Sequence, residues 1–209
     1  MAVVSITCPP SQEAVAALDV GDLVYLSGDI VATGGLPAHK RMIDCLDRGL
    51  QLPLTMEGVF IHLPHMIEAR PDGGYDVQYV NPTTSRRFDA YMPQLIRNLN
   101  LRIVGGKGGL GADVAKVMAE AGCVYLSLLG GGSPILSEAI KEVLAVEWHD
   151  FPSHFRLSKM RVENLGPLTV GIDARGRSVY QSLEDQARSR LPAIMQTLKQ
   201  RRVAAERSE

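Results

Sequence analysis

A single α/β domain around a mixed sheet is the fold class this sequence predicts, and three features of its element order carry the prediction. Strand-like runs come first, two strand–glycine-loop–helix units follow, and a hairpin pattern with a terminal helix closes the chain. No linker, internal repeat or low-complexity stretch divides it. With 209 residues and 45% hydrophobic content, the chain can bury one substantial core.

Taken in order, GDLVYLSGDIVATGG (21–35) follows an N-terminal tail, opens on a Gly-Asp turn and runs through a short apolar strand back to glycine. PAHKRMIDCLDRG (37–49) reads as a helix, with Pro37 suited to its first turn and Gly49 to its stop. GVFIHLP (58–64) and YDVQYVN (75–81) read as strands on either side of the turn RPDGG. FDAYMPQLIRNLN (88–100) is expected to be helical, with Pro93 near its start. LRIVGGKGGLG (101–111) is a strand entering a glycine loop, and ADVAKVMAEAG (112–122) is a helix closed by Gly122. CVYLSLLGGGSPIL (123–136) repeats the strand and loop, with SEAIKEVLAVEW (137–148) expected as the helix. LTVGIDARGRSVY (168–180) reads as a hairpin turning at DARG. From Gln181 charged and apolar residues alternate at helical spacing, and the end of this tail, poor in apolar surface after Leu198, is expected to fray. The domain is therefore set at 1–182 and the helical tail at 183–209.

A net charge of −1 argues against a nucleic-acid partner. No run approaches the ~20 apolar residues that span a bilayer, and the N-terminus lacks a secretory pattern, so no membrane association and a cytoplasmic location are expected. Cys8, Cys45 and Cys123 lack CxxC spacing, which speaks against a disulfide framework, a zinc site or iron–sulfur ligation by this chain.

Three polar islands stand out. GGKGG and LGGGSP each follow a strand and precede a helix, where backbone N–H groups favour anions. Neither has P-loop or GxGxxG spacing, so nucleotide binding is not indicated. Lys107, flanked by two glycines on each side, is either a solvated turn residue or an ammonium presented to an anion. In NPTTSRRFD (81–89), Thr84 or Ser85 suits a helix cap. Arg86 and Arg87 at a helix N-terminus would oppose the macrodipole unless an anion sits between hydroxyls and guanidinium. The third island is AHKR (38–41), where His39 is a helix-start residue bonded to a neighbouring loop or a ligand contact. His62 and His65 flank a proline without a nearby carboxylate pair, and His149 and His154 are equally unsupported as metal ligands.

GDLVYLSGDIVAT…AHKRM, NPTTSRRFDAY, IVGGKGGLG, VYLSLLGGGSPIL…W and GPLTVGIDARGRSVY resemble, in that order, the β subunit or C-terminal domain of class I fumarases and L-tartrate dehydratases, over roughly residues 15–182. The resemblance implies a swivelling β/β/α domain that forms one wall of an active site shared with an α chain. Three cysteines of that α chain hold a [4Fe–4S] cluster whose open iron binds substrate, and this chain holds no cofactor itself. It implies that Thr83 and Arg87 contact a small carboxylate substrate, that Lys107 is the lysine of the glycine loop, and that Thr84, Ser85 and Arg86 form the intervening binding turn. Thr83 would also handle the proton, and His39 would complete the substrate-binding set.

One departure is plain. The family pattern places Arg-Asp two positions before Ala-His, whereas this chain has Gly35 and Leu36 there; a second strand motif that usually ends in Gly-Pro reads HLPH. The leading expectation is the β component of an iron–sulfur hydro-lyase acting on a small hydroxy acid. A carboxylate-binding paralogue without the reaction, and a purely structural partner, are the alternatives. Self-association as a homodimer is compatible with each.

Overall fold

The computed structural model of the chain describes residues 1–206. In chain order it contains β1 (Val3–Cys8), α1 (Gln12–Ala16), β2 (Leu23–Thr33), α2 (Leu36–Asp47), β3 (Val59–His62), β4 (His65–Ala69), β5 (Tyr75–Val80), α3 (Met92–Asn98), β6 (Ile103–Gly106), α4 (Ala112–Ala121), β7 (Val124–Ser127), α5 (Ser133–Glu138), β8 (Ile140–Glu147), β9 (Leu157–Ile172) and α6 (Val179–Glu206). Single 3-10 turns cover Ser85–Phe88 and Ser153–Phe155.

The main sheet runs β1-β2-β3-β6-β7-β9-β8, and an additional β2–β9 pairing closes β2, β3, β6, β7 and β9 into a ring. β1, β2, β3, β6 and β7 pair in parallel, while β9 is antiparallel to β2, β7 and β8. The expected α/β class with a mixed sheet is therefore the one observed.

Strands β3 and β6 are buried at every position. Successive side chains leave a strand on opposite faces, so an unbroken apolar strand needs both faces covered. Val59, Ile61, Ile103, Val124 and Leu126 enter one core together with Leu26, Ile30 and Leu165. The alternate residues Phe60, Val104 and Tyr125 enter a second core, with Met42 of α2, Leu95 of α3 and Met118 of α4. Two cores separating three layers give a β/β/α arrangement. Each fully buried Leu, Ile or Phe stabilises it by about 1.5–3 kcal/mol.

The helix boundaries follow local chemistry. Pro37 lies in the first turn of α2, and Gly49 follows its end at φ +66°. α4 stops where Gly122 adopts the left-handed conformation, φ 64°.

Three expectations are corrected. The helix expected over 137–148 is instead α5 up to Glu138 and then strand β8. Its apolar residues recur at 140, 143 and 146, a helical interval. The strand produces this spacing because two register shifts interrupt its pairing with β9, between Ile140 and Glu142 and between Val143 and Ala145. Each bulge inserts one residue and turns a period of two into three. The segment 75–81 pairs with β4, a strand over His65–Ala69, and not with the run 58–64, because β3 is committed to β2 and β6. The closing hairpin is reduced to a turn: Asp173 accepts bonds from Arg175 N, Arg177 N and Arg177 Nε, and only an Ile172–Ser178 bridge follows before α6 begins. The first arm of that pattern is the end of a 16-residue strand, β9.

The tail is helical through Glu206 and carries Pro192 inside the helix. Fraying expected at its extreme end falls on 207–209, outside the described residues. Among the described residues, no helix is long and apolar enough to cross a membrane.

Candidate functional site

The polar islands meet at the carboxyl ends of the parallel strands, where α/β sheets place their ligands. β3 and β6 pair only as far as Ile61 and Gly105. Beyond that point residues 83–85 wedge between them. Thr83 N donates to His62 O at 3.0 Å, Lys107 N donates to Thr83 O at 3.0 Å, and Ser85 N donates to Lys107 O at 2.9 Å. Thr84 and Lys107 form an isolated parallel bridge. Two islands some 20 residues apart in sequence are thereby one continuous piece of hydrogen-bonded backbone.

Side chains on this backbone divide into two sets. Thr83, Thr84 and Lys107 are half-buried and Arg87 is exposed. The Arg87 guanidinium donates to Thr83 Oγ1, and its Nε reaches Thr84 O at 3.4 Å. It lies 5.5 Å from the Phe88 ring centre, the distance of a cation–π contact. Lys107 has no ion-pair partner among the described residues, and its side chain runs past Gly130 of the second glycine loop, 3.5 Å from where a Cβ there would stand. These groups present a guanidinium, an ammonium and hydroxyls in one place, a set matched to carboxylate oxygens.

The second set faces inward. Ser85 is fully buried, and its hydroxyl bonds His62 Nδ1 and the Tyr125 hydroxyl, each at 2.8 Å. Arg86 turns away from Arg87 to Asp89 at 3.2 Å and Glu184 of α6 at 3.5 Å. His39 is fully buried, with Nδ1 2.7 Å from Gly35 O and its ring stacked on Phe88 at 3.8 Å. Thr84 stands at the N-cap of the 3-10 turn but makes no side-chain cap bond, and the Ser85 hydroxyl is taken by His62 and Tyr125. The macrodipole conflict expected of the two arginines also disappears, because the segment that carries them is one 3-10 turn and the following α-helix starts only at Met92.

Glycine at 106 has a steric cause: a Cβ there would overlap the Ser85 hydroxyl. At Gly109 a Cβ would overlap the Tyr180 ring, so the first turn of α6 buttresses the glycine loop. At Gly35 a Cβ would come within 2.7 Å of the Phe155 side chain. Phe155 thus occupies the space a longer residue at 35 would need, and the missing arginine is matched by a filled pocket.

His62, Tyr125, Phe155 and Tyr180 were not singled out as site residues from sequence. For Tyr125 and His62 the available signal was one polar tip inside an apolar run, CVYLSLL and GVFIHLP; Phe155 and Tyr180 carry no local signal.

Burial holds His39 down to about 4, His65 down to about 4 and His62 well below the ordinary imidazole value near 6.5. All three are neutral at pH 7. Their folded-state values lie below the unfolded value, so the unfolded chain binds more protons once pH falls under 6.5. Stability is expected to be fully present above that pH and to fall towards pH 4, with a slope approaching about 4 kcal/mol per pH unit if all three act, from ~1.4 kcal/mol per proton. Urea titrations at half-unit steps check this; a slope below one proton in that window contradicts the assignment.

The three cysteines are all free thiols: Cys8 and Cys123 are buried and Cys45 is half-buried. Burial pushes the Cys8 thiol up to about 12 and the Cys123 thiol higher. Among the described residues no three His, Cys, Asp or Glu side chains gather as a metal site.

A model of the family described as Fumarase C-terminus matches residues 2–183. The chain is 29% identical over 181 residues to "Putative L(+)-tartrate dehydratase subunit beta" of Methanocaldococcus jannaschii, covering 85% of this chain and 91% of that one. It is 28% identical over 179 residues to L(+)-tartrate dehydratase subunit beta of Escherichia coli K12, covering 83% and 85%. Against "Putative fumarate hydratase class I" of Geobacillus stearothermophilus, identity is 28% over 190 residues, and the chain spans about a third, 36%, of that longer protein.

Proposed function

This chain belongs to the Fumarase C-terminus family, and on that premise we propose that it is the β subunit of a hydro-lyase that adds or removes water on a small hydroxy di- or monocarboxylic acid. The observation that supports the reading is the wedge of 83–85 between β3 and β6, which joins the backbones of Thr83 and Lys107 and lets Arg87 bond the Thr83 hydroxyl. The names of the tartrate dehydratase relatives, each a subunit beta, support a separate α partner. A [4Fe–4S] cluster does not fit the donor set of this chain, so it would be held by that partner. When bound there, the cluster supplies a Lewis acid for the hydroxyl that leaves or enters.

In this reading Arg87 and Lys107 hold substrate carboxylate, and Thr83 and Thr84 orient it. Thr83 is the proton-handling candidate. Its Oγ1 accepts from the Arg87 guanidinium, and a neighbouring positive charge favours the deprotonated oxygen and strengthens the hydroxyl as a donor. Ser85, Arg86 and His39 contribute from behind, by holding the turn. With no guanidinium at Gly35, the α2 start offers only backbone N–H groups, and binding rests on Arg87 and Lys107. The proposed division is a catalytic-site domain over 1–182 and a tail over 183–209, in a cytoplasmic protein.

The experiment is anaerobic affinity purification from the native host, with iron and sulfide measured in what co-elutes. An iron-bearing partner in equal amount, with water elimination from L(+)-tartrate or hydration of fumarate, supports the reading. A colourless chain that elutes alone and still binds carboxylate makes it a non-catalytic binding paralogue.

A further inference from the structure

Beneath the binding turn the polar groups form a directional series. His39 Nδ1 faces a carbonyl, Gly35 O, at 2.7 Å. A carbonyl only accepts, so His39 carries its proton on Nδ1 and leaves Nε2 as a lone-pair acceptor. At the other end, Ser85 Oγ lies 2.8 Å from both the Tyr125 hydroxyl and His62 Nδ1. A tyrosine hydroxyl that donates to Ser85 leaves the Ser85 proton for His62 Nδ1, and His62 then carries its own proton on Nε2. His62 Nε2 and His39 Nε2 are both buried and both lack a partner, and the two rings lie 5.1 Å apart, centre to centre. In that order one is a donor and the other an acceptor. Leaving both unpaired forfeits a buried hydrogen bond at each, whereas joining them satisfies both.

We infer that His62 and His39 are positioning residues for the candidate anion site, joined Nε2–H to Nε2 in one hydrogen-bonded series that runs from Tyr125 through Ser85 to the Gly35 carbonyl. The series fixes the floor on which Arg87 stands. Ser85 opens the 3-10 turn that carries Arg87, and His39 stacks on Phe88, the residue under the guanidinium. It also ties the turn at Ser85, whose N–H donates to Lys107 O, to the start of α2. This role in affinity rests on the carboxylate-binding reading above, but the proton positions do not.

The test uses the full chain, labelled with nitrogen-15 on histidine, and reads tautomers by NMR at pH 7. The expected spectrum shows His39 as the Nδ1–H form and His62 as the Nε2–H form, the latter with a slowly exchanging proton. His62 as Nδ1–H, or His39 as Nε2–H, overturns the series. In Ser85→Ala the His62 tautomer is expected to become mixed while His39 keeps Nδ1–H; a purely space-filling role for Ser85 would leave both spectra unchanged and would sink the inference. L-tartrate or fumarate titrated into the partner-bound complex is expected to bind about fivefold more weakly in His39→Phe, which keeps the stacking ring and removes the acceptor. Unchanged affinity in that variant overturns the positioning role even where the tautomers stand. Failure of the native complex to bind either acid would count against the proposed function, leaving the tautomer result to be judged by itself.

Discussion

Arg87→Ala is expected to raise the dissociation constant of the partner-bound complex for a dicarboxylate by about 100-fold. A guanidinium meeting a carboxylate supplies two charge-assisted bonds, and ~1.5 kcal/mol for each gives ~3 kcal/mol, about two decades in affinity. The folded chain should hardly notice the loss. Arg87 is exposed, and its partners within the chain are the Thr83 hydroxyl, Thr84 O and the Phe88 ring. Its melting temperature should stay within about 2 °C of the parent. Arg87→Lys should recover only part of the affinity, since an ammonium cannot make the forked contact. Isothermal titration together with a melting curve checks both halves. Undiminished affinity in Arg87→Ala removes the anion-site reading of this opening.

The second large effect is expected from one methyl group. Gly106→Ala puts a Cβ onto the Ser85 hydroxyl, with His62 Cβ at 3.1 Å. Both neighbours are fully buried, so neither can move into solvent. Displacing Ser85 leaves His62 Nδ1 and the Tyr125 hydroxyl without their shared partner, and the combined overpacking and desolvation should cost about 2–4 kcal/mol. For a chain of this size that is a fall of roughly 5–15 °C in Tm. Carboxylate binding should weaken in parallel, because Ser85 sits in the turn that carries Arg87. Gly108→Ala is the control: its backbone is left-handed at φ +77°, but a Cβ there meets only Thr84 Cγ2 at 3.5 Å. Strain without a clash should cost about 1 kcal/mol. Equal losses at 106 and 108 would show that backbone conformation, and not the Ser85 contact, demands glycine.

Much of the candidate site was readable in the chain because its signals are local. Lysine among glycines, two arginines behind a row of hydroxyls and a Pro-started helix before Gly49 each announce a backbone need or a charge without reference to anything distant. The apolar runs over β3, β6 and β7 likewise read as strands. Local patterns failed where distant pairing took over. The 140–147 segment keeps helical spacing only because bulges against β9 stretch a strand's period from two to three. β1 and β4 looked like a tail and a turn flank until β2 and β5 lay beside them.

Within NPTTSRRFD, composition treated Thr83, Ser85, Arg86 and Arg87 as equals. A 3-10 turn separates them by direction: Ser85 and Phe88 enter the core, Arg86 is taken by Asp89 and Glu184, and Arg87 stays exposed beside the Thr83 hydroxyl. Gly35 shows the same division. An absent arginine was legible from sequence, whereas the Phe155 ring that fills its place arrives from 120 residues away. By itself, then, the sequence determined the α/β class, the glycine loops, the candidate charges and the family, since short-range periodicity and residue type carry these. Only the tertiary structure decided which hydroxyl stands beside Arg87 and which faces a histidine, because that depends on which strand wedges between which others, a choice made by pairing across long separations.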